Sequence, residues 1–251
     1  MSILAYRSLA LWALGYPETA LADADRAVKD ARAIGQTTLM YALLNTLRTF
    51  VQCGDYAMSN IQADELVALA DEKGASVWKA TVMIFRGLLF ALTGKASDAI
   101  PLITSGITDR RPATIFIPLF LPYLARAHAE LGQFDDAWRC IGEATTAMDI
   151  TTKERWCEAE VHRVAGEIAL MSPPPYATTP EAYFERALTV ARQQQAKSWE
   201  LRAAMSMARL WRDRGKRQQA HDLLAPVYGW FTEGFNTLDL KEAKALLDEL
   251  T

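Results

Sequence analysis

The sequence predicts an all-α fold, an α-solenoid of about six helical hairpins followed by one capping helix. Two observations predict it: glycine-centred turns recur about every 39 residues, and the apolar residues between them follow a helical period. A third observation is that the chain lacks the sustained apolar–polar alternation that is typical of strands.

Five turns share a glycine among small or polar residues: Gly15, Gly54, Gly94, Gly132 and Gly215. They lie 39, 40, 38 and 83 residues apart. The last interval equals two periods, and the proline-rich segment 172–176 stands where the missing turn is expected. Glycine suits these turns because it adopts the left-handed conformation that ends a helix at little cost. A small residue follows each glycine by five positions and allows the second helix to approach the first: Ala20, Ser59, Ala99, Ala137 and Ala220.

These turns and small residues set the positions of the helices within a single domain of residues 1–251. We predict hairpins at 2–34, 37–73, 76–109, 114–149, 153–194 and 197–233, and a capping helix at 238–250. The cap carries an apolar stripe that would cover the last hairpin: Leu240, Ala243, Leu246, Leu247 and Leu250.

The N-terminal end is predicted to differ, because no capping helix precedes the first hairpin. An uncapped repeat would expose apolar residues, Trp12 among them. The sequence therefore predicts either a homo-oligomer that forms through this end or a preceding segment in a longer chain, and favours the segment.

Composition excludes several classes of protein. Of the 251 residues, 51% are hydrophobic and 23% charged, which is ordinary for a globular chain, and the net charge of −3 disfavours a nucleic-acid partner. Cys53, Cys140 and Cys157 form neither a disulfide framework nor a zinc motif, which indicates the reducing cytoplasm. No apolar stretch is long enough to span a membrane, and the N-terminus does not resemble a signal peptide.

Motifs for catalysis and metal binding are weak. The segment from Gly87 to Lys95 resembles a phosphate-binding loop, but its glycines lie seven residues apart, Ala96 replaces the Ser or Thr, and a helix precedes it. His162 lies four residues after Glu158, but two ligands do not make a metal site. No G-x-S-x-G motif is present. We therefore expect no enzyme activity, no metal and no cofactor.

The period and the small residues resemble the tetratricopeptide repeat, in its longer variant. Two stretches, residues 15–22 and 196–235, resemble the C-terminal repeat arm of bacterial signalling ATPases, in which the arm follows a nucleotide-binding ATPase module and often a cyclase domain. The resemblance covers essentially the whole chain and is strongest from Trp156 onward. It implies a right-handed superhelix and a regulatory or sensing arm without an active site of its own.

The resemblance also implies that the first helix of each hairpin lines a concave groove. The inward face is then apolar and aromatic in the early half, and charged and rich in arginine in the late half. The candidate binding residues on it are Trp12, Tyr41, Arg48, Arg126, Glu160, Arg163, Glu167, Arg202, Arg209 and Arg212. Arginine forks bind carboxylates and phosphates, so one interpretation is a site for an acidic or phosphorylated ligand. The other is internal pairing of Glu160 and Glu167 with Arg202 and Arg209.

Three functions follow from these patterns. The first is a module that binds a peptide or a neighbouring domain, such as an ATPase or cyclase, in the groove. The second is a small-ligand sensor, which predicts a compact pocket around Arg163, Arg202 and Arg209. The third is a repeat protein that binds RNA, which requires a basic groove and is disfavoured by the net charge.

Overall fold

The computed structural model describes residues 2–109, 116–151, 153–173 and 178–251, and within these ranges every regular element is helical. There are thirteen α-helices in the described chain: α1 (Ser2–Leu14), α2 (Pro17–Ile34), α3 (Gln36–Gln52), α4 (Tyr56–Glu72), α5 (Ser76–Leu92), α6 (Ala96–Asp109), α7 (Ile117–Glu130), α8 (Phe134–Thr146), α9 (Glu158–Met171), α10 (Pro180–Gln193), α11 (Lys197–Asp213), α12 (Arg217–Tyr228) and α13 (Leu238–Leu250). A short π-helical segment, Ala147–Thr151, extends α8. The predicted all-α class is confirmed.

Two predicted helix boundaries are wrong. The helix expected from residue 153 begins at Glu158 because the chain does not continue from α8 directly into a new helix: Lys153 adopts a left-handed conformation with φ of 56°. The helix expected to reach residue 233 ends at Tyr228, after which the chain turns and buries Phe231. The predicted start at residue 114 lies outside the described residues.

The helices form two layers. Each odd-numbered helix contacts the next odd-numbered one, from α1 through to α13, and the even-numbered helices α2 to α12 pack on either neighbour in the chain. Short turns produce this arrangement, because two helices joined by a few residues must lie side by side and antiparallel. The odd-numbered helices α1 to α11, each in contact with the next, are here called the inner layer.

The inner layer closes on itself, because α1 also packs against α11. The contact between these helices, here called the seam, places the rings of Trp12 and Trp199 edge to face with centroids 4.6 Å apart. The Ser198 hydroxyl donates a hydrogen bond of 2.5 Å to the Trp12 carbonyl oxygen. Trp12 is 1% exposed. The expectation that the N-terminal end presents Trp12 is therefore wrong, since α11 covers it.

Further contacts join the first two hairpins to the C-terminal region. The Leu238 amide donates to the Cys53 carbonyl oxygen at 3.4 Å, and the Thr19 hydroxyl donates to Glu233 at 2.8 Å. With the seam closed, the space inside the inner layer is filled by buried aromatic side chains, which contribute large apolar areas to the core. They include Trp12, Phe85, Phe120, Tyr123 and Trp199. In place of an open groove, the inner layer encloses a core.

Among the described residues, none of the helices has both the length and the apolar character needed to cross a bilayer.

Candidate functional site

A pocket of about 290 Å³, here called the central pocket, opens where α7, α9 and α11 meet the N-terminal part of α13. Six of the residues predicted from the sequence line it, together with residues that the sequence did not indicate. The lining comprises Tyr56, Leu92, Arg126, Glu160, Arg163, Glu167, Arg202, Met205, Arg209, Leu238, Asp239 and Glu242.

One wall is an ion cluster on α9. Glu160, Arg163 and Glu167 are spaced by three and four residues, so they share a helix face. Arg163 makes a bidentate contact with Glu160, with Nε–Oε2 at 2.7 Å and Nη2–Oε1 at 2.8 Å, and it also pairs with Glu167. Burial raises the pKa of Glu160, but Arg163, together with Arg202 and Arg126, outweighs burial and holds that pKa below its ordinary value. Glu160 is therefore an ionised acceptor deep in the pocket.

Arg202 forms the floor. Its Nε donates to Asp239 Oδ2, its Nη1 to Gln52 Oε1 and its Nη2 to the Gln52 carbonyl oxygen, each at 2.8 Å. Its Cζ lies 5.0 Å from the ring centroid of Trp12 and 5.2 Å from that of Trp199. Such cation–π contacts strengthen in a desolvated site. Arg202 thus joins α11 to α3 and α13.

The internal pairs agree with the predicted ones only in part. The predicted pair of Arg202 with Glu160 is present at 4.0 Å, but the shorter contacts are those of Arg202 with Asp239 at 2.8 Å and of Glu160 and Glu167 with Arg163. The reason is proximity along one helix: residues three or four apart meet without any tertiary constraint. Burial raises the pKa of Asp239, and its attraction to Arg202 only partly offsets that rise.

Arg126 and Arg209 lie at the mouth. Their side chains are 33% and 40% exposed. Arg126 donates through Nε to Glu130 at 3.0 Å, and Arg209 donates through Nη2 to Glu242 at 2.8 Å. Their other N–H groups make no hydrogen bond to a described residue, although Arg126 Nη1 also lies 3.9 Å from Glu167 Oε2. These groups remain able to donate to a ligand.

The lining is electrically balanced. Four guanidinium groups (Arg126, Arg163, Arg202 and Arg209) face four carboxyl groups (Glu160, Glu167, Asp239 and Glu242). The remaining polar side chain is the hydroxyl of Tyr56, whose pKa burial raises, so this group stays neutral. In the described part of the chain, no three His, Cys, Asp or Glu side chains are grouped as they would be for a metal ion.

Four predicted site residues lie elsewhere. Trp12 and Arg48 are buried, and Arg48 stacks over the Phe116 ring with its Cζ 3.7 Å from the centroid. The Tyr41 hydroxyl bonds that of Tyr6 at 2.6 Å, away from the pocket. Arg212 pairs on the outside with Asp213 and Glu249.

Asp239 and Glu242 were not predicted as site residues, because α13 was expected only to cover the last hairpin. Their signal was present: the two acidic residues are three apart and flank the apolar stripe of the cap.

No protein-family model, curated protein or solved structure matches this chain. The resemblance to repeat arms of signalling ATPases therefore stays a prediction, and the function has to be argued from the pocket.

Proposed function

We propose that this protein is a non-catalytic binding module, a sensor that holds a small zwitterionic ligand of amino-acid size in the central pocket. The proposal includes the assignment of the hairpins to the tetratricopeptide class, with its right-handed stacking, and a place in the cytoplasm. Of the three functions that the sequence suggests, we favour the small-ligand sensor.

The observation that carries the proposal is the convergence of Arg163, Arg202 and Arg209 on one compact pocket. A module that threads a peptide through its groove needs an open channel, but large aromatic side chains of the inner-layer helices are fully buried, among them Trp12, Phe120 and Trp199. A volume of about 290 Å³ lies at the low end for ligand pockets. The space therefore favours a small ligand.

The charge balance favours a ligand that carries both signs. A ligand carboxylate can accept hydrogen bonds from the free N–H groups of Arg126 and Arg209, in the bidentate manner usual for guanidinium. A ligand ammonium can donate to Glu167, which lies on the α9 wall, and to Glu242, which pairs with Arg209 at the mouth. A ligand of one sign would add an unbalanced charge to a lining whose own charges already balance, which is costly in a partly buried site.

Protein interaction is a second candidate, favoured by exposed apolar residues at the opposite, N-terminal end of the inner layer. Ile3 is 79% and Val77 57% exposed. The rings of Tyr6, Tyr41 and Trp78 form an edge-to-face row nearby, with centroids 6.4 and 6.5 Å apart. A protein partner, such as an ATPase or cyclase domain or a second copy of the chain, would bind at this end.

The test is a thermal-shift and calorimetric titration with each standard L-amino acid, with succinate as a probe that has only carboxylates and with putrescine as a probe that has only ammonium groups. We expect at least one amino acid to bind, and succinate and putrescine to bind weakly or not at all. If no amino acid binds, or if succinate binds as tightly as the best amino acid, the proposal is wrong.

Matched variants locate the binding. Arg209→Gln and Glu242→Gln should each weaken binding about tenfold or more, because each removes one charge-assisted hydrogen bond. Arg139→Gln is the control, since Arg139 makes the same kind of pair with Glu143 on α8, outside the pocket. Equal effects of Arg139→Gln and Arg209→Gln would place binding elsewhere.

A further inference from the structure

A second pocket, of about 460 Å³, lies at the seam and is here called the seam pocket. Leu14 and Tyr16 come from the first hairpin, Arg192 from α10, Gln195 from the following turn, Lys197 from α11, and Trp230 from the turn after α12. The pocket therefore exists only while the first and last hairpins are in contact.

Its walls are aromatic. The rings of Tyr16 and Trp230 lie edge to face with centroids 5.7 Å apart, and both residues are 38% exposed. The Trp230 indole packs directly against Gly15, and only glycine leaves room for it, because a Cβ at this position would lie 2.5 Å from the Trp230 ring. A half-exposed Trp beside a half-exposed Tyr offers ring faces that a flat ligand can cover.

Its edge is cationic. Arg192 Nε and Lys197 Nζ bond the same buried carboxylate, Glu200, at 2.9 and 2.8 Å. One carboxylate beneath two cations leaves one positive charge, and no acidic residue lines the pocket itself. The two terminal amino groups of Arg192 make no hydrogen bond to a described residue. They are available to an anion.

Gln195 adds a strained residue at the same wall. Its φ of 55° is left-handed, a conformation that non-glycine residues adopt rarely. The turn between α4 and α5 has the same backbone hydrogen bonds and carries Gly74, with φ of 63°, at the corresponding position. A strained side chain that lines a pocket, where glycine would fit the backbone better, indicates that the side chain has a role in that pocket.

We infer that the seam pocket binds a small planar aromatic or heteroaromatic anion. Its ring packs against Trp230 and Tyr16, and its carboxylate or phosphate accepts hydrogen bonds from Arg192 and Lys197. The Gln195 amide bonds the polar edge of the ring. This site goes beyond the proposed function, because it shares no lining residue with the central pocket and takes a ligand with a net negative charge.

Two sources share this chemistry, nucleotides and aromatic acids, and calorimetry with separate probes distinguishes them. The probes are AMP and phenylacetate; adenosine and inorganic phosphate are the controls, each with only half of the required chemistry. We expect AMP or phenylacetate to bind at least about tenfold more tightly than either control, a difference of about 1.4 kcal/mol. Binding by only one of the two probes assigns the source, and binding by neither overturns the inference.

Two variants test whether the anion binds in the seam pocket. Lys197→Gln and Trp230→Leu should each weaken binding of the positive probe by about fivefold or more, with helix content unchanged by circular dichroism. Lys95→Gln is the matched control, because Lys95 Nζ lies 5.6 Å from the Phe90 ring centroid and Lys197 Nζ lies 5.4 Å from that of Trp230. The inference fails if Lys95→Gln weakens binding as much as Lys197→Gln does.

The central-pocket variant Arg209→Gln should leave binding of AMP or phenylacetate unchanged. If it abolishes that binding while Lys197→Gln does not, the anion occupies the central pocket, and the seam pocket has no such ligand. Failure at the seam would leave the amino-acid titrations of the central pocket untouched, so the two proposals are tested separately.

Discussion

The turns at Gly74 and Gln195 form a natural pair for measuring what a left-handed side chain costs this fold. Both turns close with the same pattern: the amide of Ala75 donates to Ala70, and that of Ala196 donates to Ala191, each at 2.9 Å. Both central residues are left-handed. We predict that Gln195→Gly stabilises the protein and that Gly74→Gln destabilises it.

The magnitude follows from two opposing terms. A left-handed L-residue costs about 1–2 kcal/mol, and the extra freedom that glycine has in the unfolded chain returns roughly 0.5–1 kcal/mol of this. Gln195→Gly should therefore raise the free energy of unfolding by about 0.5–1 kcal/mol, and Gly74→Gln should lower it similarly. No atom lies within 4 Å of a Cβ built at Gly74, so the second change is purely conformational.

Urea denaturation and calorimetry measure both changes, with an expected shift of about 1–4 °C in Tm in opposite directions. A loss of stability in Gln195→Gly would refute the reasoning, because the side chain would then stabilise the fold by more than its strain. The same variant should bind AMP or phenylacetate more weakly, although it is more stable.

Three further perturbations test the packing and the electrostatics. Trp12→Ala should lower the free energy of unfolding in urea by about 3–5 kcal/mol, since it removes a fully buried indole from the seam; a loss near that of a surface substitution would mean that the seam is open in solution. Gly166→Ala should cost about 1–3 kcal/mol, because its Cβ would lie 2.5 Å from the Phe184 ring, and adding Phe184→Leu should recover part of the loss; no recovery would contradict the assigned clash. Burial lowers the pKa of His162 below 6.5 despite the opposing attraction of Glu158. As the pH falls, the unfolded chain therefore takes up the proton first, and the free energy of unfolding should fall below about pH 6.5. The variant His162→Gln should show a weaker dependence on pH, and an equally steep profile would rule out His162 as its source.

Local pattern accounts for most of the helices. Glycine turns and helical periodicity place α1 to α6 and α13 within about a residue of their observed bounds, because these signals act over a few neighbouring residues. They place the start of α9 wrongly, since the left-handed Lys153 follows a π-helical segment that has no simple sequence signature. Closure of the inner layer could not be predicted, because its decisive contact joins Trp12 to Ser198, 186 residues away.

The candidate site was likewise predicted in its local part and not in its long-range part. The group on α9 was visible in the sequence, since Glu160, Arg163 and Glu167 have helical spacing. The partner of Arg202 was not, because Asp239 reaches it only through the path of the chain after α12. Sequence spacing thus predicted which charges lie on one helix face, and the tertiary path decided which of them became pairs.

Closure also changes what a stack of hairpins can bind. In an open stack each repeat contacts only its neighbours, and the concave groove between the two free ends is available to a partner. Here the contact between α1 and α11 makes the first and last hairpins neighbours, and one of the pockets of the described chain, the seam pocket, lies where they meet. Arg202 in the central pocket and Lys197 in the seam pocket are five residues apart on α11. The seam pocket is lined from both sides of the seam, and Arg202 lies against the Trp12 ring of α1. Ligands that each favour the closed seam must then favour each other's binding, because the coupling between two sites on one equilibrium is reciprocal.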